Sequence, residues 1–229
     1  MNTTVIKISS DTLNIFKNFA SINSNLHVKK GNTLTTVSPS MTVLAEATIN
    51  QDFDAEFGIF DMAKFLSTIS LFKDPEFDFA DTHVTISSQG NKASVKYYYS
   101  DPQLLTKADK KISMPKSFVS FDLNSADLSA IIKAASVLQA PDMCVESQED
   151  NICVRVCDKK DPTAHSWSLV VGQNTNDLSF KFWFKVENLK MIPGDYTVEL
   201  AEKRVAKFSG SSVPVNYWVA MESDSTTKE

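Results

Sequence analysis

Apolar residues recur with helical spacing in three stretches of the chain. Ser10–Ile22 places Leu13, Ile15, Phe16, Phe19, Ala20 and Ile22 on one broad side, behind a cap candidate at Ser10 or Asp11. Residues 61–72 do the same with Met62, Phe65, Leu66, Ile69 and Phe72. Ser125–Leu138 follows with Leu128, Ile131, Ile132, Ala135 and Leu138, capped by Asn124 or Ser125. A short fourth helix is expected over residues 186–191, stopped by Pro193 and Gly194. Between the helices the pattern is that of strands and turns. Val28, Leu34 and residues 43–49 and 53–60 precede the second helix. Residues 77–79, 84–86 and 93–99 follow it, with Gln89, Gly90 and Asn91 as a hairpin turn. Strands at 144–146, 152–157, 166–171 and 178–184 follow the third helix, and strands at 196–200, 205–208 and 215–221 follow the fourth.

The pattern repeats. Each half runs strand, helix, about four strands, helix, about three strands. Ser10 and Ser125 open the first helices of the two halves, and Asp61 and Val186 the second. This order predicts a structural duplication of the α+β class, with domains at 1–105 and 117–229. Residues 106–116, with Asp109, Lys110, Lys111 and Pro115, have the composition of an exposed connector. A length of 229 residues suits two domains, and fifteen Phe supply apolar area for two cores.

The net charge of −5 opposes nonspecific attraction to nucleic acid unless the cations are concentrated on one surface. They are segregated. On a helical wheel Lys17 projects with Asn14, Asn18 and Ser21, Lys64 with Ser67 and Thr68, and Lys133 with Ser129 and Ser136, each away from the apolar side. Lys190, beside Asn188, projects likewise from the short fourth helix. Acids within the helices fall in first turns, at Asp11, Asp61, Asp127 and Glu187, where the helix dipole favours them. The other acids gather elsewhere, at Asp52, Asp54 and Glu56, at Asp74, Glu76, Asp78 and Asp81, and at Glu146, Glu149 and Asp150. Helix faces of this kind, lined along one channel, would attract phosphates without reading sequence.

Motifs of catalysis are missing. The chain has no G-x-x-x-x-G-K-[ST] or G-x-G-x-x-G loop, no G-x-S-x-G elbow and no H-E-x-x-H. Cys153 and Cys157 share a strand face, but nothing nearby in sequence completes a zinc site, and no metal or other cofactor is expected. With Cys144 they are expected to be reduced core thiols. No apolar run approaches the roughly 20 residues of a membrane span. The expected location is therefore the cytosol.

Four stretches resemble the DNA polymerase sliding clamp of T-even-type bacteriophages. Phe16-Lys17-Asn18-Phe19-Ala20-Ser21-Ile22-Asn23-Ser24 is similar to its first helix, and Phe60-Asp61-Met62-Ala63-Lys64-Phe65-Leu66 with Ile69-Ser70-Leu71 to its second. Asn188-Leu189-Lys190-Met191-Ile192-Pro193-Gly194-Asp195-Tyr196 resembles the approach to its final strands, and residues 216–226 its C-terminus. The stretches are colinear with the family. The connector and residues 144–176 match it poorly.

The resemblance implies two duplicated clamp domains, each with two helices packed on curved antiparallel sheet. It implies a homotrimer closed head to tail, helices inward, around duplex DNA, with Lys17, Lys64, Lys133 and Lys190 facing the DNA. The implied subunit contact joins a strand at about 92–99 to one at about 163–172 of the next copy, bringing in Tyr97, Tyr98, Tyr99, Trp167 and Leu169. A hydrophobic pocket for the C-terminal peptide of the polymerase would involve Leu104, Leu105, Pro214 and Tyr217. Loading by a separate ATPase, a place in the cytoplasm of the infected bacterium and a part in late transcription are implied as well. The competing reading is a β-rich structural protein such as a virion component, which would not need superimposable halves. An enzyme with acids brought together from distant positions is a weaker third.

Overall fold

The computed structural model describes residues 5–90, 92–108, 113–175 and 177–228. Asn91 of the expected hairpin turn and Asp109, Lys110 and Lys111 of the expected connector lie outside them. The chain divides into two compact units, Met1–Lys110 and Lys111–Glu229.

The first unit runs β1 (Val5–Lys7), α1 (Ser10–Ile22), β2 (Leu26–Val28), β3 (Gly31–Val37), β4 (Val43–Phe53), β5 (Phe57–Ile59), α2 (Met62–Ile69), β6 (Pro75–Phe79), β7 (His83–Ser88) and β8 (Ser94–Tyr98). Strands β1, β6, β7 and β8 form an antiparallel sheet in that order, with β8 at its edge. β3 pairs with β4, and β2 with β5. Helix α1 buries Thr12, Ile15, Phe16, Phe19 and Ile22 against β3, β4 and α2, and Phe16 meets Phe65 of α2 edge-on with ring centroids 6.2 Å apart.

The second unit runs β9 (Ser117–Leu123), α3 (Ser125–Leu138), β10 (Asp142–Gln148), β11 (Asn151–Cys157), β12 (Trp167–Gln173), β13 (Ser179–Lys185), a 3-10 turn (Val186–Asn188), β14 (Tyr196–Ala201), β15 (Val205–Gly210), β16 (Val215–Ala220) and β17 (Thr226–Lys228). β9 pairs with β14 as β1 pairs with β6, and β15 and β16 extend that sheet as β7 and β8 extend theirs. β10 pairs with β11 and β13, and β11 with β12, the succession that β2, β3, β4 and β5 follow in the first unit. One α+β topology is thus present twice. Cys144, Cys153 and Cys157 are free and buried on β10 and β11.

The structure corrects several local expectations. Ser9, not Ser10 or Asp11, caps α1, its hydroxyl accepting from the Thr12 amide at 3.2 Å. Residues 43–49 and the start of 53–60 are one strand, β4, because a register shift against β3 absorbs the polar residues 50–52. Helix α2 stops at Ile69. The Thr68 and Ser70 hydroxyls bond back to the carbonyls of Lys64 and Ser67, and the chain tightens into a turn through Phe72. The fourth helix is only the 3-10 turn. Lys185 offers it no side-chain cap, and Leu189 leaves helical geometry (ψ 58°) to bury its side chain. β17 was unforeseen, since three polar residues carry no alternation.

Candidate nucleic-acid interface and subunit edges

In the first unit α1 and α2 pack through Phe16 and Phe65, which turns their opposite faces outward. Lys17 and Lys64 are exposed on those faces, beside Asn14, Ser21 and Ser67. The turn geometry that positions Lys64 is set by Asp61, whose carboxylate accepts from the Lys64 amide at 2.9 Å. In the second unit Lys133 stands exposed on α3, opposite the buried Leu128, Ile131 and Ala135. It lines a groove with Leu189, Met191 and Pro193, and the exposed Lys190 lies within that same segment. Lys17, Lys64 and Lys133 are thus exposed on helices, whereas Lys190 is exposed in the chain that follows the 3-10 turn. Among the described residues, Lys17, Lys64 and Lys133 form no ion pair, which leaves their charge available to a polyanion.

The expected subunit strands are sheet edges. β8 is the last strand of its sheet, and β12 the last of the sheet β12-β11-β10-β13-β17. An edge presents a row of unpaired amide and carbonyl groups, ready for another strand. Strand alternation sorts the three tyrosines. Tyr98 is 65% exposed. Tyr97 packs on Phe65 at 5.0 Å and donates its hydroxyl to the Asp61 carbonyl, while Tyr99 stacks on Phe57 at 5.1 Å. On β12, Trp167 and Leu169 are half-buried and Val170 is 55% exposed. Val170 is not among the residues expected at the subunit contact. Its signal is the alternation that sets it on the face opposite Leu169.

The positions expected to hold a partner peptide divide. Leu104 is 70% exposed. Leu105 is buried against Gly58, where an added Cβ would come within 2.8 Å of the leucine and 2.5 Å of the Ser100 carbonyl, so a side chain at residue 58 would dislodge the start of the connector. Pro214 is exposed. Tyr217 is a correction: its ring is fully buried and packs edge-on to Tyr196, and its hydroxyl accepts from the Ile192 amide at 3.1 Å. Burial pushes its phenol up to about 12. It is a core residue, not a pocket wall.

Among the described residues, no group of three metal-ligating side chains occurs, and no helix is long and apolar enough to cross a membrane. The model of the family described as DNA polymerase processivity factor matches residues 9–114, and that of the gp45 sliding clamp, C terminal, matches residues 120–223. The two together span both units. The chain belongs to the phage sliding-clamp family. It is 29% identical over 222 residues to the sliding clamp of Vibrio phage KVP40, covering 95% of this chain and 99% of that protein. It is 29% identical over 233 residues to the sliding clamp of Enterobacteria phage T4, covering 96% and 99%. The second family model spans residues 144–176, where residue-level similarity was thin. Sliding clamps of cellular origin share the fold: the PCNA of A. fulgidus, solved with the C-terminal region of FEN-1, overlays with a TM-score of 0.71 at 14% identity, covering 97% of this chain and 99% of that one. This clamp is a DNA polymerase processivity factor and not an enzyme. A virion component is not favoured.

Proposed function

We propose that three copies of this chain close head to tail into a ring around duplex DNA and hold the replicative polymerase on its template. The observation that carries this reading is that each unit leaves one strand edge open at an expected contact, β8 in the first and β12 in the second. Two different edges on one chain make a heterologous contact, which forms a ring when the rotation closes. Six domains of one topology then come from three chains. Lys17, Lys64, Lys133 and Lys190 face the duplex and attract its phosphates without base readout, so the ring slides. Tyr98 on β8 and Trp167, Leu169 and Val170 on β12 supply side chains to the subunit contact.

The polymerase is tethered by its C-terminal peptide, and tethering raises the effective concentration at which a released enzyme rebinds. Peptides bound to sliding clamps of the same fold support this: the A. fulgidus PCNA holds the C-terminal region of FEN-1, and the H. pylori beta clamp a DNA ligase peptide. Leu104 and Pro214, both exposed, are the positions to substitute, each separately. No phosphate-cradling loop is present in the sequence, so opening and loading fall to a separate ATPase in the cytoplasm of the infected cell.

Reversing Lys17, Lys64, Lys133 and Lys190 to Glu tests the DNA-facing surface. The expected result is weaker DNA association and a shallower salt dependence, by about 0.9 in log–log slope for each phosphate that is no longer neutralised. Sedimentation at micromolar concentration should still give the mass of three chains. Clamp-dependent synthesis that survives the reversal intact would overturn the assignment of these lysines, and a monomer for the unaltered chain would overturn the ring.

A further inference from the structure

The first unit contains a cavity of about 280 Å³ whose lining shares only Tyr99 with the residues expected at the clamp contacts. Four rings from four segments wall it: Phe53 at the end of β4, Phe57 at the start of β5, Phe79 at the end of β6, and Tyr99 just after β8. The Phe53, Phe57 and Phe79 centroids lie 5.3 to 5.6 Å apart, and Tyr99 stacks on Phe57 at 5.1 Å with the planes 28° apart. Three exposed carboxylates, Asp54, Glu56 and Asp81, stand among the lining residues, which include no Lys or Arg. His27 Nε2 lies 2.6 Å from Glu56, so this carboxylate is already engaged and Asp54 and Asp81 carry the remaining charge. The Tyr99 hydroxyl is buried with no hydrogen-bond partner. Burial and the Asp78 carboxylate raise its pKa well above the ordinary phenol range, so the hydroxyl stays protonated and neutral. One oxygen of the Asp78 carboxylate is likewise buried without a partner, and unpartnered buried polar atoms mark a place where something else completes the bonding.

Aromatic faces are electronegative, and acids beside them deepen that potential, so the cavity matches a cation. Its size, near the lower end of the roughly 300–1,000 Å³ of small-molecule pockets, suits one side chain better than a cofactor. Among side-chain cations the guanidinium fits best. It is planar, stacks on rings, forks onto carboxylates and gives up its hydration more readily than an ammonium. We propose that this cavity is a docking site for an arginine side chain presented by a partner protein. The guanidinium lies against the ring wall, donates to the Tyr99 hydroxyl oxygen, and pairs with Asp54 and Asp81 at the mouth.

The test is a titration of the full-length protein with N-acetyl-arginine amide, followed residue by residue in amide NMR spectra. Saturable shifts are expected at residues 53–57, 79–81 and 99. The uncharged isostere N-acetyl-citrulline amide should not saturate them. Asp54→Asn with Asp81→Asn, both at exposed positions, should weaken arginine binding about fivefold to tenfold. Tyr99→Phe, which keeps the ring, should weaken it by a smaller factor. The proposal is overturned if citrulline binds as tightly as arginine, if N-acetyl-lysine amide binds more tightly, if the shifts fall elsewhere, or if none saturates. The lysine reversals above leave this cavity untouched, so its test stands apart from that of the DNA-facing surface.

Discussion

In the first unit two helices lie side by side, and α1 buries five residues against α2 and the strands beneath. In the second, α3 has the same place in the topology but buries only Leu128, Ile131 and Ala135, and a three-residue turn stands where α2 has its counterpart. Leu189 and Met191, just past that turn, line a groove with the face of α3 that a second helix would cover. The rest stays open: Ile132 is 36% and Val137 72% exposed. Strand order survived the duplication while a helix did not. Strands are fixed by partners on both sides, since each buried amide and carbonyl must be satisfied by a neighbour. A helix satisfies its own backbone, so another apolar segment can replace it wherever the stripe beneath is covered.

The largest test of this contrast removes one buried side chain from each helix. Phe16→Ala should cost about 3–5 kcal/mol and Ile131→Ala about 2–4 kcal/mol, because Phe16 holds two helices together and Ile131 anchors one. All three tryptophans, Trp167, Trp183 and Trp218, lie in the second unit. Urea unfolding followed by their fluorescence therefore reports that unit, while circular dichroism reports both. Phe16→Ala should shift the dichroism midpoint more than the fluorescence midpoint, and Ile131→Ala the reverse. Equal shifts by both probes for both variants would show that the helix pair confers no separate stability on its own half.

A smaller effect separates the sheets rather than the helices. The first unit packs rings on rings, whereas the second sets ions on one face of β10, β11 and β13. Glu146, 10% exposed, pairs with Arg155 at 2.8 Å and Lys181 at 3.3 Å. Arg155, Lys181 and Lys159 approach the Trp183 ring at 5.3 to 5.6 Å. Burial opposes ionisation of Glu146, but the Arg155 hydrogen bond and the Arg155 and Lys181 charges outweigh it and hold the carboxyl below its ordinary range. A lowered folded value means the stabilisation is complete above the ordinary carboxylate pKa and disappears as pH falls through the lowered value. Glu146→Gln should cost about 2 kcal/mol at neutral pH, less than a fully buried pair because Arg155 remains partly exposed. The fluorescence midpoint of the variant should then fall less steeply in acid than that of the unaltered chain. Parallel acid profiles would remove Glu146 as the source of that dependence.

The sequence pattern reached α3 to the residue, because its apolar spacing is strong and Asn124 is a good cap. It missed the turn at Val186–Asn188, because Val186 and Leu189 have helical spacing whether the chain coils or not. That Lys17, Lys64 and Lys133 project away from the apolar side was legible, since a helix fixes which residues project together, whereas Lys190 has no helix to fix its direction. The tyrosines were not: that Tyr98 faces out while Tyr97 and Tyr99 face in depends on which side of β8 the core occupies. The ion cluster around Trp183 also escaped, being assembled across three strands by register. Cys144 faces both Arg155 and Trp183, a neighbourhood that no spacing along one segment encodes.

The smallest predicted effect concerns how the two first helices end. Helix α3 closes at Gln139 in the left-handed conformation (φ 52°), which glycine adopts without strain. Helix α1 closes at Asn23 in extended backbone (φ −143°), where the buried side chain donates to the Val37 carbonyl at 2.9 Å and accepts from the Asn25 amide at 3.1 Å. One substitution should therefore have opposite signs. Gln139→Gly relieves about 1 kcal/mol of left-handed strain and gives some of it back to the freer unfolded chain, for a net gain of about 0.5 kcal/mol. Asn23→Gly loses two hydrogen bonds and leaves the Val37 carbonyl without that donor, a loss of about 1–2 kcal/mol. Thermal unfolding of the pair decides it, since a rise for Gln139→Gly beside a fall for Asn23→Gly follows only if one helix is stopped by backbone geometry and the other by a side chain.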